Sequence, residues 1–187
     1  MKKVILFFAI AFYAIAFAQE SQFSVSKDKT FNKFVVVNIE GKNASQLYNK
    51  AIEWITKTYK DPDKVIIAKI ENQYIRMQGS ARNLYCLSGL LGEKNCDDSI
   101  YKLEISFKDN KYKLEVLEIE NYSQVLKEWR TDDLKYFGGT PYYKENGEPK
   151  KPFKYILVDI PNYFNSINKS LNDYIIGDGV NKIKDNW

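Results

Sequence analysis

The chain contains no histidine. That absence removes the commonest general base and the commonest metal ligand. It excludes Ser-His-Asp and Cys-His catalysis and the usual zinc sites. Chemistry based on carboxylates or lysines stays open. Neither G-x-x-x-x-G-K-[ST] nor G-x-G-x-x-G occurs, so no loop for cradling phosphates is signalled. Charge of one sign is also scarce, with 28 Lys+Arg against 24 Asp+Glu. So near a balance gives no strong electrostatic reason to bind nucleic acid or an acidic membrane. No cofactor and no metal are expected.

Long apolar runs are missing everywhere but at the start. Met1-Lys2-Lys3 is a short basic segment, and Val4 to Ile15 carries no charge. Ala16-Phe17-Ala18 has the A-x-A form of a cleavage site, followed by polar Gln19-Glu20. The pattern is that of a secretory signal peptide over residues 1–18. The alternative, a retained anchor, needs about 20 apolar residues. No stable membrane insertion is expected after cleavage, and the mature chain is expected to be periplasmic or secreted.

Cysteine is used only twice, at Cys86 and Cys96. In an exported chain an even count suggests one disulfide, the alternative being two free thiols. The bridge would tie the neck of a loop from Leu87 to Asn95, between a third strand that ends before Cys86 and a fourth that starts after Cys96. Leu90 and Leu91 sit at the tip of that loop. We expect them to tuck onto the core; the other reading makes them a projecting contact patch.

What is abundant is tyrosine, at 14 residues, and patterned strand sequence. Residues 19–29 form a polar, loose lead-in. Phe31 to Ile39 is β-branched and apolar, hence a strand ended by Gly41. Asn43 and Gln46 then form a capping-box pair for a helix running to Lys60. Leu47, Ala51, Trp54, Ile55 and Thr58 share its apolar face. Trp54 reads as core before it reads as a ligand-stacking ring.

Two hairpins follow. A two-residue turn at Asn72-Gln73 would pair Ile70 with Ile75, Ala68 with Met77 and Ile66 with Gly79, leaving Tyr74 and Arg76 on the polar face. The next hairpin turns at Asp109-Asn110 in the type I′ form. It pairs Phe107 with Tyr112, Ile105 with Leu114 and Leu103 with Val116. Glu104 and Glu115 then oppose each other, which requires solvent and nearby lysines. A bulge near Leu117 accounts for the broken alternation.

Beyond residue 120 the pattern weakens. Val125 to Trp129 reads as a helical turn, and residues 137–152 as a solvated loop whose alternative is a lid. Asp159 would cap a last helix with Pro161 in its first turn and Gly177 at its end. Phe153 to Val158 is a short strand or an earlier helical turn, and residues 178–187 are a polar tail. Asp97-Asp98 and Asp132-Asp133 read as surface charge. Asn43, Asn121 and Asn168 head sequons of the glycosylation type, a short pattern common by chance.

The order strand, helix, four strands, loop, helix gives an α+β, two-layer sandwich. It comprises one domain over residues 30–177, with a loop insertion at 120–152, a mainly antiparallel sheet and two helices on one face. Several residues carry a family resemblance: the strand ending at Gly41, Leu47-Tyr48, Ala51-x-Glu53-Trp54-Ile55, Gly79 closing the third strand, and Lys108-Asp109-x-Lys111-Tyr112-Lys113. Over Phe31 to Ile119 the chain resembles a family of exported bacterial domains of unknown function whose fold is like that of the TATA-box-binding protein (TBP-like). Asn110 and Lys111 stand where that family usually has Gly and Arg. The resemblance implies a fold and no reaction.

The leading expectation is a non-enzymatic binding module with a protein or glycan partner. Tyr74 and Arg76, or Leu90 and Leu91, would make the contact, while Trp54, Phe107 and Tyr112 anchor the core. A carrier of a small apolar ligand between helix and sheet is the alternative. A carboxylate enzyme acting on glycans is a third reading.

Overall fold

A computed structural model describes residues 22–25, 31–124, 127–132, 136–137 and 140–177. Residues 1–18 and 178–187, expected as signal peptide and tail, lie outside the described residues. The first strand, β1, spans Phe34–Asn38. Gly41 turns the chain at a φ of 78°, a conformation that costs glycine nothing. The capping box forms: Asn43 Oδ1 accepts the Gln46 N–H, and Gln46 Oε1 accepts the Asn43 N–H, both at 2.9 Å. Such a cap stabilises a helix by about 1 kcal/mol. Helix α1 follows over Ala44–Thr58, burying Leu47, Tyr48, Ala51, Trp54 and Ile55.

A single turn, α2 (Pro62–Val65), leads into strands β2 (Ile66–Ile70), β3 (Tyr74–Ser88), β4 (Lys94–Lys108), β5 (Lys111–Ser123) and β6 (Glu128–Thr131). The sheet order is β1-β5-β4-β3-β2, all antiparallel, with β6 beside the far end of β5. A short hairpin of β7 (Tyr136–Phe137) and β8 (Thr140–Pro141) and a 3-10 turn at Lys151–Phe153 precede helix α3, Ile156–Ile176. Val35, Ile75, Met77, Leu103, Ile105, Leu114 and Val116 line one buried sheet face. Helices α1 and α3 cover that face and pack on each other. This is the expected two-layer α+β arrangement.

The β4–β5 register is as expected, with Phe107 opposite Tyr112, Ile105 opposite Leu114 and Leu103 opposite Val116. Leu117 is the extra residue of a bulge, because Lys102 pairs with Glu118 while Leu103 pairs with Val116. The turn itself departs from type I′, since of its two central residues only Asn110 is left-handed, at φ 63°. This turn also braces the start of α1. Asp109 Oδ1 accepts the Ala44 N–H and Asn110 Oδ1 accepts the Gly41 N–H, each at 2.9 Å.

The β2–β3 register corrects the expectation. Ile70 pairs with Tyr74, Lys69 with Ile75 and Ile66 with Met77. The loop has three residues, with Asn72 left-handed at φ 60°, and β2 is an edge strand whose Ile67 and Ile70 stay exposed. Gly79 does not close the third strand. It lies inside β3 opposite Tyr101, where its missing side chain leaves room for the ring. Both cysteines lie within β3 and β4, so the loop beyond them is only Gly89 to Glu93. Trp129 belongs to a strand and not to a helical turn, while Val125 lies outside the described residues. Helix α3 begins at Ile156, so Asp159 is not its cap and Pro161 sits inside it. Ile156, Leu157 and Ile160 are buried, and that burial extends the helix ahead of its proline.

The lead-in is not loose at Phe23. Its ring is buried, 5.9 Å from Phe31 and 5.8 Å from Phe164. Nor are residues 137–152 simply solvated, because Tyr142 is fully enclosed.

Candidate functional site

Cys86 and Cys96 face each other across β3 and β4, with Cα atoms 4.0 Å apart, and are disulfide-bonded. The strands continue past the bridge to the pair Ser88–Lys94. The tip then closes in a tight turn. The Gly89 N–H donates to the Glu93 carbonyl at 2.8 Å, and the Gly92 N–H donates to the Gly89 carbonyl at 3.2 Å. Glu93 Oε2 accepts the Leu91 N–H at 2.9 Å. Gly92 takes a φ of 91°, which disfavours any side chain there. Leu90 and Leu91 are thereby held outward, 90% and 93% exposed. They do not tuck onto the core, because a five-residue turn above a paired, bridged ladder has no slack to fold back. At the base, the Lys94 ammonium pairs with Asp159 at 2.7 Å and lies 5.1 Å from the centre of the Tyr155 ring.

Tyr74 and Arg76 lie at the opposite end of β3. Fourteen steps along an extended strand separate Tyr74 from Ser88, roughly 45 Å at strand rise, so the two candidate surfaces are not one. Arg76 is engaged by its own sheet. Its guanidinium donates to Glu104 Oε2 at 2.7 and 3.2 Å and lies 5.6 Å from the centre of the Tyr74 ring. The bond to Glu104 raises the guanidinium pKa. Glu104 and Glu115 are directly opposed; the expected lysine, Lys113, pairs with Glu115, while Glu104 is met by Arg76 instead. Lys102 and Glu118 form a further pair at 2.5 Å. The open face is therefore a lattice of matched charges.

The core anchors are where the pattern puts them. Trp54 is 2% exposed, and its indole N–H donates to Ser170 Oγ at 3.0 Å, joining the helices. Tyr48 meets Phe107 edge-on at 5.7 Å. The buried Tyr112 hydroxyl donates to Asn168 Oδ1 at 2.8 Å. Asn121 Oδ1 accepts from Ser99 Oγ at 2.6 Å. The asparagines of all three sequons are thus committed to internal bonds.

One polar chain escaped the pattern altogether. Tyr142 donates its phenol proton to Asp132 Oδ2, so Tyr85 donates to the Tyr142 oxygen, at 2.8 Å. The Tyr142 ring stacks on Phe153 at 4.4 Å. Burial first, and the Asp132 charge second, drive the pKa of both phenols far up. Phenols held this firmly protonated are anchors and not bases. Asp132 is therefore more than surface charge. Asp97 also departs from that reading: partial burial, then the neighbouring Asp98, raises its pKa. Asp98 itself accepts the Asn83 N–H at 3.1 Å.

Among the described residues no helix is long and apolar enough to cross a membrane. No curated protein matches the chain. A TBP-like protein from Parabacteroides distasonis has a similar crystal structure, with a TM-score of 0.50 at 17% identity over 75% of this chain and 91% of that one. A DUF4468 family protein from Bacteroides ovatus aligns with a TM-score of 0.49 at 12% identity over 86% and 90% of the two chains. Residues 34–122 match a family model, which reaches the first residues of the insertion. Over those residues the chain matches the family described as a domain of unknown function (DUF4468) with TBP-like fold.

Proposed function

We propose that the chain is an exported, non-enzymatic interaction module that grips a partner protein through Leu90 and Leu91. The observation that carries this reading is the near-complete exposure of two adjacent leucines on a turn fixed by Glu93 and by the disulfide. Burying one leucine side chain yields about 1.5–3 kcal/mol. A turn already in shape loses little entropy when it binds. An apolar tip favours a protein pocket over a glycan. The open sheet face with Tyr74 and Arg76 supports the reading less, because its charges are already matched to one another. Export rests on the N-terminal pattern, and a disulfide fits an oxidising compartment.

The carrier reading has no comparable support, since Trp54, Tyr48, Phe107 and Tyr112 fill the space between helix and sheet with their own contacts. Affinity capture from the exporting cell tests the proposal. The native chain should retain a defined partner that the Leu90→Ser/Leu91→Ser variant loses. Equal recovery by both would overturn it.

A further inference from the structure

A second surface lies along the β1 edge of the sheet. Strand β1 is the last strand of the sheet beyond β5. Two bonds fix which of its backbone groups face β5. The Lys33 carbonyl accepts the Val116 N–H, and the Ile39 N–H donates to the Asn110 carbonyl. Strand residues alternate, so the odd-numbered positions serve β5. The N–H and C=O groups of Phe34, Val36 and Asn38 point to the outer edge. Asn32 already uses that edge, donating its N–H to the Ser24 carbonyl at 3.1 Å. Beyond it, among the described residues, no strand pairs with β1 on this side.

Helix α3 runs beside this edge. Between them lies a cleft of about 410 Å³ lined by Val37, Gln22, Asn165, Asn168, Lys169 and Asn172, with Ser166 at its margin. Asn165 shows what an amide on this helix does to an extended chain. Its Oδ1 accepts the Phe23 N–H at 2.7 Å and its Nδ2 donates to the Phe23 carbonyl at 2.9 Å. One side chain thus replaces a neighbouring strand. Asn172 sits two helical turns further along the same cleft, and among the described residues its buried Oδ1 has no hydrogen-bond donor. Buried acceptors are rarely left so.

We propose that this cleft is a binding site for an extended polypeptide segment of a partner, added as a strand to the outer edge of β1. The segment's inner backbone groups pair with Val36 and its neighbours, as in other cases of strand addition. Its outer N–H reaches Asn172 as the Phe23 N–H reaches Asn165. The cleft holds no unpaired charge to read, since Lys169 pairs with Asp173 at 2.6 Å. The recognised chemistry is therefore the peptide backbone. This site is independent of the Leu90–Leu91 tip.

Random heptapeptides displayed on phage, panned against the exported chain and resynthesised, supply the probe. Binding should slow amide hydrogen exchange at Val36 and Asn38 in the native protein. Val36→Pro removes the outward N–H of an edge position that tolerates proline, and it should weaken binding at least tenfold. Asn172→Ala should do likewise, while Leu90→Ser/Leu91→Ser should leave affinity unchanged. Failure to enrich any peptide, unaltered exchange at Val36 and Asn38, or equal affinity in Asn172→Ala would overturn the proposal. So would binding that appears only after Gln19, Glu20 and Ser21 are each replaced by glycine, since the cleft would then belong to the chain's own residues.

Discussion

Tyr85 and Tyr142 stand 57 positions apart and share a buried hydrogen bond of 2.8 Å, with the second phenol passing its proton on to Asp132. This chain ties the segment after β6 to the C-terminal part of β3. It is the reason that a stretch rich in glycine, proline and lysine is seated on the fold.

Removing the central phenol is therefore costly. Tyr142→Phe takes away the donor to Asp132 and the acceptor for Tyr85 in one step. A loss of about 1–3 kcal/mol is expected, against about 0.5–1.5 kcal/mol for Tyr85→Phe, which leaves the bond to Asp132 intact. Urea unfolding of the two variants compares them. A smaller loss for Tyr142→Phe than for Tyr85→Phe contradicts this ordering.

The buried tyrosines also set a pH limit. Burial raises the pKa of Tyr85, Tyr101, Tyr112 and Tyr142 in the folded chain well above the ordinary value near 10. The folded state keeps these protons while the unfolded state releases them. Their contribution is complete below about pH 10 and is lost as pH rises beyond it. Each such phenol costs up to about 1.4 kcal/mol per pH unit there. Stability measured from pH 8 to 12 should be level at first and fall steeply above pH 10. A flat profile to pH 12 contradicts it.

The disulfide stabilises a short loop. Its cysteines are separated by 10 positions, for which loop entropy gives about 2–3 kcal/mol. Cys86→Ser/Cys96→Ser should lose that amount in equilibrium unfolding while keeping the fold, because the surrounding β3–β4 ladder persists. A variant that is unfolded at room temperature would mean that the bridge does more than close a loop.

Gly79 is a packing position. A Cβ placed there would stand 2.4 Å from the Tyr101 ring, whose hydroxyl is bonded to Tyr163 at 3.1 Å. Phe164 meets that ring edge-on at 5.6 Å, so it cannot swing clear. Gly79→Ala should cost about 1–3 kcal/mol through overpacking, read from the thermal midpoint. An unchanged midpoint contradicts this.

Legibility in the sequence followed the locality of the forces. The β4–β5 hairpin could be read because a two-residue turn and strict alternation agree on one register, and the bulge at Leu117 is where alternation breaks. The Asn43–Gln46 cap is local and equally readable. The β2–β3 register was not, because Asn72 takes a left-handed conformation that lengthens the loop, and half-exposed β2 imposes no clear apolar face. Phe23 and Tyr142 are single aromatics in polar stretches, and only distant partners bury them. Leu90 and Leu91 misled in the opposite sense: leucine favours burial, but a closed turn above a bridged ladder has nowhere to put it. The asparagines lining the β1 cleft, Asn165, Asn168 and Asn172, recur at helical spacing, but that pattern did not mark a site, since amides suit helix surfaces as well as sites.

The central claim is that the Leu90–Leu91 tip is a contact surface. The most direct measurement is photocrosslinking in the native cell, with p-benzoylphenylalanine at position 91 and, as a control, at position 176, where Ile176 is 61% exposed. A discrete crosslinked species is expected from position 91 and none from position 176. No adduct at position 91, or the same adducts at both, would contradict it.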